Sequence, residues 1–235
     1  MPNNLRIGVG WSTHFPRRGV LNQARCRRLR YAYRAPSFVT EEMVADGSEL
    51  TFLKFDEGLA ISELDGTNNA LASNVDFFYV ASHGTCATPP QYKLILHGGE
   101  WPITGADLGV NGPSVATFDT CDLVDLKHAR WKAPWETAGA QLRLLLGFAS
   151  AATVAENSTR RGLEFSQKII AGDPIAQAWL QAVHHNSYQG TDLGIAIAFG
   201  DSDKDVDWVL YDMTLGDLPC PRSTGTPVIA AEVCH

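Results

Sequence analysis

Two short runs constrain this chain more than anything else in it. Residues 76–82 read DFFYVAS and residues 115–120 read VATFDT. Each is rich in aromatic or β-branched residues at consecutive rather than alternate positions, and each is too short for an ordinary helix. Such runs are strands covered on both faces, which places them inside a parallel sheet with a layer above and a layer below. Leu5 to Val9, Leu50 to Phe55 and Leu193 to Phe199 extend the series, and Tyr92 to Leu96 is a further candidate. Leu142 to Ala149 fits either a buried strand or the end of a helix that begins near Glu136.

Helical patterns lie between these runs. Leu59 to Ser73 has helical character weakened by Gly66. Ser158 is positioned to cap a helix that ends near Ala171 and stops at Gly172. Asp173-Pro174 then opens another, with Ile175, Ala178, Trp179 and Ala182 as its apolar stripe. Trp208 to Tyr211 is expected to form a strand paired with Leu193 to Phe199 across an acidic turn, DSDKDVD. Beyond Leu218 the Pro-, Gly- and Thr-rich sequence predicts an irregular tail with a last strand near Val228. The expectation is one α/β domain over residues 1–235, a mainly parallel sheet flanked by helices, with the tail beginning at about 218.

Composition narrows the function. The net charge is −7, which argues against nucleic acid as a partner. No apolar run is long enough to cross a bilayer, so no membrane association is expected. The start, MPNNLRIGVGW, does not look like a signal peptide, and five scattered cysteines do not make a disulfide scaffold. Both point to a reducing, cytoplasmic setting with free thiols. The five arginines between Arg25 and Arg34 are the strong positive cluster, read as a solvated helix face or a partner site.

Chemistry concentrates at two strand ends. FFYVAS runs straight into His83-Gly84, and VATFDT into Cys121-Asp122, 38 residues apart. That separation suffices for a crossover between neighbouring parallel strands, whose carboxyl ends are where α/β sheets carry their sites. An imidazole beside a thiol can take its proton as the sulfur attacks, then return it to the leaving amine. Gly84, lacking a Cβ, leaves its N–H approachable, and with the N–H of Cys121 it could form an oxyanion hole. The plain alternative is a core cysteine and a turn histidine.

A strand ending in His-Gly followed by one ending in Cys resembles the caspase-like (clan CD) cysteine peptidases. In motif style the chain is most similar to the gingipain- and clostripain-like members. The resemblance spans about Leu5 to Phe199. It implies a mainly parallel sheet sandwiched by helices, His83 as general base and acid, Cys121 as nucleophile and Gly84 in the oxyanion hole. It also implies a specificity pocket built from the loop after the first strand (Trp11, Ser12, His14) and from Asp122. The Gln-Ala-Cys-Arg-Gly of caspases is absent, so cleavage after Asp is not implied, and Asp122-Leu123 stands where the family often has Ser-Gly or Gly. Asp119, Asp122 and Asp125 could make a pocket for Arg or Lys. Asp119 or Asp76 could instead orient His83, and Trp101, Trp131 and Trp135 could wall a cleft.

The expected partner is a peptide or protein substrate; oligomeric state is left open. No cofactor is expected. A calcium loop at Asp201 to Asp207 is disfavoured because Val206 stands where glycine is needed. His184-His185 point about 100° apart on a helix and make a poor metal pair. Cys86 could be a redox partner of Cys121 or a bystander, while Cys26, Cys220 and Cys234 have no evident base. Three functions remain: a small stand-alone peptidase of bacterial type, an inactive scaffold of the same fold, and a Cys-dependent acyl transferase or cyclase.

Overall fold

A computed structural model describes residues 5–11, 34–55, 74–88, 91–96, 99–108, 112–152, 160–187 and 190–234. Among these residues seven strands form the main sheet: β1 (Arg6–Trp11), β2 (Glu49–Phe55), β3 (Phe77–Ala81), β7 (Val115–Asp119), β8 (Leu144–Phe148), β9 (Gly194–Gly200) and β10 (Val228–Val233). Their order is β10-β9-β8-β7-β3-β1-β2. The five from β2 to β8 are mutually parallel, β9 is antiparallel to β8, and β10 is antiparallel to β9. The sheet is therefore mainly parallel, as the unbroken apolar runs require. β3 and β7 lie side by side at its centre with every residue buried.

Among the described residues four α-helices cover one face: α1 (Arg34–Ala45), α2 (Arg161–Ile170), α3 (Ile175–Asn186) and α4 (Asp203–Tyr211). Alternation along the strands sorts the core in two. Phe77 and Tyr79 of β3 face the helices, whereas Phe78 and Val80 face the other way. On the helix face, the edges of Phe148, Phe165 and Trp179 meet at centroid distances of 5.4–5.6 Å. The opposite face is covered by short 3-10 turns at Gly105–Leu108 and Ala133–Trp135 and by a small antiparallel sheet. That sheet comprises β4 (His83–Thr88), β5 (Gln91–Leu96) and β6 (Gly99–Ile103). The predicted strand near Tyr92 is thus present but belongs to this second sheet.

Several expectations meet a different outcome. Trp208 to Tyr211 is helical. Ser202 accepts a hydrogen bond from the Asp205 N–H at 3.3 Å, and Asp203 and Asp205 occupy the first turn, where the helix dipole favours acid. Val206, Val209 and Leu210 then supply a helical stripe, which the alternating aspartates disguise as a hairpin turn. The segment 142–149 carries the strand Leu144–Phe148 rather than a helix end. α3 starts as expected, but Pro174 is its N-terminal boundary, and Asp173 pairs with Lys168 at 3.7 Å instead of capping. The stretch after Leu218 is irregular but anchored. Arg222 donates to the carbonyl of Ala138 at 2.6 Å, and β10 joins the main sheet. The possible helix at Leu59 to Ser73, the cap at Ser158 and all of the arginine cluster but Arg34 lie outside the described residues.

Candidate functional site

The pairing of β3 with β7 runs in register from Phe77↔Val115 to Ala81↔Asp119. His83 and Cys121 each lie two residues past this last pair, beyond the carboxyl edge. The Ser82 N–H reaches the Asp119 carbonyl at 3.4 Å, the last backbone link before the chains part. β3 leads into β4, and β7 turns sharply at Thr120, whose N–H bonds to the Phe118 carbonyl at 2.8 Å. The chain after Cys121 folds back toward β8. Asp122 adopts a left-handed φ of 52°, its N–H donates to Ser150, and the Leu123 N–H donates to Phe148.

Gly84 packs directly under this turn. A Cβ there would lie 2.5 Å from the Cys121 carbonyl oxygen and 2.6 Å from the Tyr92 ring. Glycine is thus demanded by close packing, a reason distinct from substrate access. Tyr92 is fully buried and its hydroxyl hydrogen-bonds to Thr120, so the small sheet is fastened to the residue just before the thiol.

Cys121 is half-buried. Its sulfur accepts from the Ala152 N–H at 3.3 Å and lies 3.6 Å from the Ala152 carbonyl. Burial pushes its thiol above the usual range; the Ala152 N–H opposes this, Asp122 and Asp119 add to it, and Arg161 subtracts. Burial pulls His83 down to about 4. Near neutral pH the resting pair is therefore a neutral thiol and a neutral imidazole.

Beneath the thiol lies a buried ionic cluster. Asp119 accepts from the Tyr79 hydroxyl at 2.8 Å and from Arg161 at 2.6 Å, one bond to each carboxylate oxygen. Arg161 is 4% exposed, stacks on Phe148 at 4.7 Å and faces buried Asp192 across 4.0 Å. Burial alone would lower Arg161, but Asp119, Tyr79 and Asp192 outweigh it and raise it. Tyr79 is held well above its usual value by burial, with Asp119 adding.

Of the residues singled out in the sequence, His83, Gly84, Cys121 and Asp122 gather at one edge. Trp11 joins them at the end of β1, opposite Ala81. Asp122 is raised by burial, with Asp125 adding. Ser12, His14 and Cys26 lie outside the described residues, as do the side chains of Cys86 and Trp101. Asp119 is corrected as a pocket or orienting group: both of its oxygens are occupied on the helix side. Asp76 is corrected too, because it sits at the amino end of β3 and pairs with Arg6 at 2.8 Å. Asp125 accepts from the Lys127 N–H in a local turn, and Trp135 is core. Cys234, expected among the irregular tail residues, is half-buried and accepts from the Gly194 N–H at 3.1 Å.

The sequence reading missed Tyr79, Tyr92, Ala152 and Arg161. A signal for Arg161 existed: it shares a four-residue spacing with Phe165 and Ile169, so the buried stripe of α2 begins with a charge. Asp119 is likewise a charge in an apolar strand, and two misplaced charges of opposite sign predict each other.

Among the described residues no group of three or more His, Cys, Asp or Glu is arranged to hold a metal ion, and no helix is long and apolar enough to cross a membrane. Fold and edge together define an α/β protein whose central parallel strands lead into an imidazole and a thiol. The chain belongs to the family described as a domain of unknown function (DUF6345), whose model matches residues 52–214 and so takes in both strand ends. No curated protein matches the chain.

Proposed function

We propose that this chain is a cysteine peptidase of caspase-like type, cleaving or transferring a peptide acyl group through Cys121 and His83. The observation that carries the reading is the in-register parallel pairing of β3 and β7 up to Ala81↔Asp119, with Gly84 packed against the Cys121 carbonyl, which supports His83 and Cys121 as neighbours beyond one carboxyl edge. The left-handed Asp122 adds support. It stands where the caspase-like family often has Ser-Gly or Gly, and its backbone takes a conformation that glycine favours. The dyad needs no cofactor, and the free thiols at Cys121, Cys220 and Cys234 suit a reducing, cytoplasmic setting.

In this scheme the Cys121 sulfur attacks the substrate carbonyl while His83 removes its proton. The N–H groups of Gly84 and Cys121 receive the oxyanion. His83 then protonates the departing amine, and water or a second amine releases the acyl group. Trp11 and Asp122 border the substrate. Full proton transfer before attack is uphill, given an imidazole lowered to about 4 and a thiol raised above its usual value. Transfer is therefore coupled to attack rather than completed in a resting ion pair.

That same neutral pair favours a second reading, a scaffold of this fold without turnover. An acyl-type thiol probe and a mixed-sequence peptide pool separate the two. The peptidase reading expects turnover and labelling at Cys121, both abolished in Cys121→Ala, with turnover lost in His83→Ala. Activity surviving in Cys121→Ala overturns it, and equal labelling of several cysteines without turnover supports the scaffold.

A further inference from the structure

The buried cluster under Cys121 has no part in the scheme above, yet it lies two residues from the sulfur. Asp119 closes β7, and its carboxylate is held from two sides, by Tyr79 of the neighbouring strand and by Arg161 at the start of α2. Arg161 uses one nitrogen for that bond. Its Nη1 faces Asp192 without a hydrogen bond, and its Nε has no hydrogen-bond partner. A guanidinium with so few of its donors engaged is a poor choice for cohesion alone, since buried ion pairs contribute little net stability even when fully satisfied. What it does provide is a fixed positive charge and, through Asp119, a fixed negative one, both in a low-dielectric layer beneath the nucleophile.

We infer that Asp119 and Arg161 are positioning residues that set, with opposite signs, how readily Cys121 gives up its proton. The inference rests on the reading of Cys121 as the nucleophile. Burial keeps the resting sulfur protonated; Asp119 adds to that and Arg161 opposes it, so that the thiol stays unreactive until a substrate carbonyl and His83 are both in place. The other charge acting on the sulfur is Asp122 in the turn that follows it; Asp125 acts on Asp122, and Asp192, ahead of β9, acts on Arg161. His83 at the head of β4 is neutral above about pH 4. Asp122 acts in the same direction as Asp119.

The test is the pH dependence of iodoacetamide alkylation on the full chain, resolved by residue, with Cys220 and Cys234 as internal references. Asp119→Asn removes the negative charge while leaving Asp192 beside Arg161. The Cys121 midpoint should move down, and while it stays above pH 7 each unit of displacement raises the thiolate fraction at pH 7 about tenfold and the alkylation rate by a smaller factor, roughly threefold. Arg161→Gln should move the midpoint up, and Arg161→Lys should restore it. Tyr79→Phe deletes a hydrogen bond but no charge, so it should change the rate less than twofold. The inference is overturned if Asp119→Asn leaves the Cys121 rate within twofold, moves it the same way as Arg161→Gln, or is matched by Tyr79→Phe. Parallel displacement at Cys220 or Cys234 overturns it as well. Should Arg161→Gln fail to fold, Asp119→Asn against Tyr79→Phe decides alone. Because alkylation needs no turnover, failure here is separable from failure of the peptidase reading.

Discussion

The two ends of the parallel sheet are closed in different ways. At the amino end, backbone bonds run from strand to strand: the Asp76 N–H to Arg6, the Ser114 N–H to Asp76, and the Arg143 N–H to Ser114, each at 2.8–2.9 Å. At the carboxyl end that sewing thins between the central strands. β7 and β8 pair as far as Thr117↔Leu146, the Ser82 link stretches to 3.4 Å, the turn after Cys121 is tied to β8 through the Asp122 and Leu123 N–H groups, and side chains fill the rest. Each end also holds an Arg–Asp pair. Arg6 lies with its side chain 46% exposed, whereas that of Arg161 is 4% exposed. A sheet end sewn by backbone depends little on which side chains it carries. An end where the strands part depends on them heavily, and it can hold polar groups in a fixed, partly desolvated arrangement.

The difference is sharpest in the two ion pairs. Arg161→Gln should cost about 3–5 kcal/mol, because it leaves Asp119 buried and unpaired. Arg6→Gln should cost less than about 1 kcal/mol, since Asp76 keeps the Arg6 backbone N–H and water reaches the pair. Urea midpoints measure both, and equal losses would break the comparison. The next largest effect is the pH response of His83. Its folded value lies near 4, below the unfolded value near 6.5, so the unfolded chain binds the extra proton first. Stability should be complete above about pH 6.5 and fall as the pH drops toward 4, by at most about 3 kcal/mol. His83→Asn should flatten that slope. Activity should persist to lower pH than an ordinary histidine allows, and a loss centred near pH 6.5 would contradict the burial of the ring.

Gly84→Ala comes third. The added methyl meets the Cys121 carbonyl and a Tyr92 ring that its own hydrogen bond keeps from swinging aside. A cost of roughly 1–3 kcal/mol is expected. Cys121 alkylation should change as well, because relief of the overlap must shift the turn that carries the sulfur. Unaltered stability and labelling would mean that the small sheet is free to lift from the site.

Much of this was legible in the residues. The runs ending at Ala81 and Asp119 are mostly apolar at consecutive positions, so a central parallel position follows, and with it a shared carboxyl edge for the segments after them. What surrounds them was less legible, for a physical reason. The partners of Asp119 come from 40 and 42 residues away in the chain, and local pattern carries no information on such pairings. The error at Trp208 to Tyr211 has a local cause. Four apolar or aromatic residues satisfy a strand template, while the evidence for a helix lay upstream in the Ser202 cap and the acidic first turn. Cys234 looked like tail material because the pairing of β10 with β9, which buries it, is again a matter of tertiary contact.

The smallest effects give the finest test of the contrast between the ends. Ser114 sits at the amino end with its hydroxyl buried and without a hydrogen-bond partner, while its backbone N–H and carbonyl both serve the sewing. Ser114→Ala removes a polar group that contributes no bond, so stability should be unchanged or slightly raised, within about 0.5 kcal/mol. Asp122 is the counterpart at the carboxyl end. Its φ of 52° tolerates Asp and suits Gly, but Ala there should cost about 1 kcal/mol. Asp122→Gly should stay closer to the parent than Asp122→Ala. Both should increase Cys121 alkylation, because both remove a charge that opposes the thiolate. If Ser114→Ala instead proved the more damaging of the two alanine variants, the amino end would be relying on side chains after all, and the assignment of backbone to one end and side chains to the other would have to be reversed.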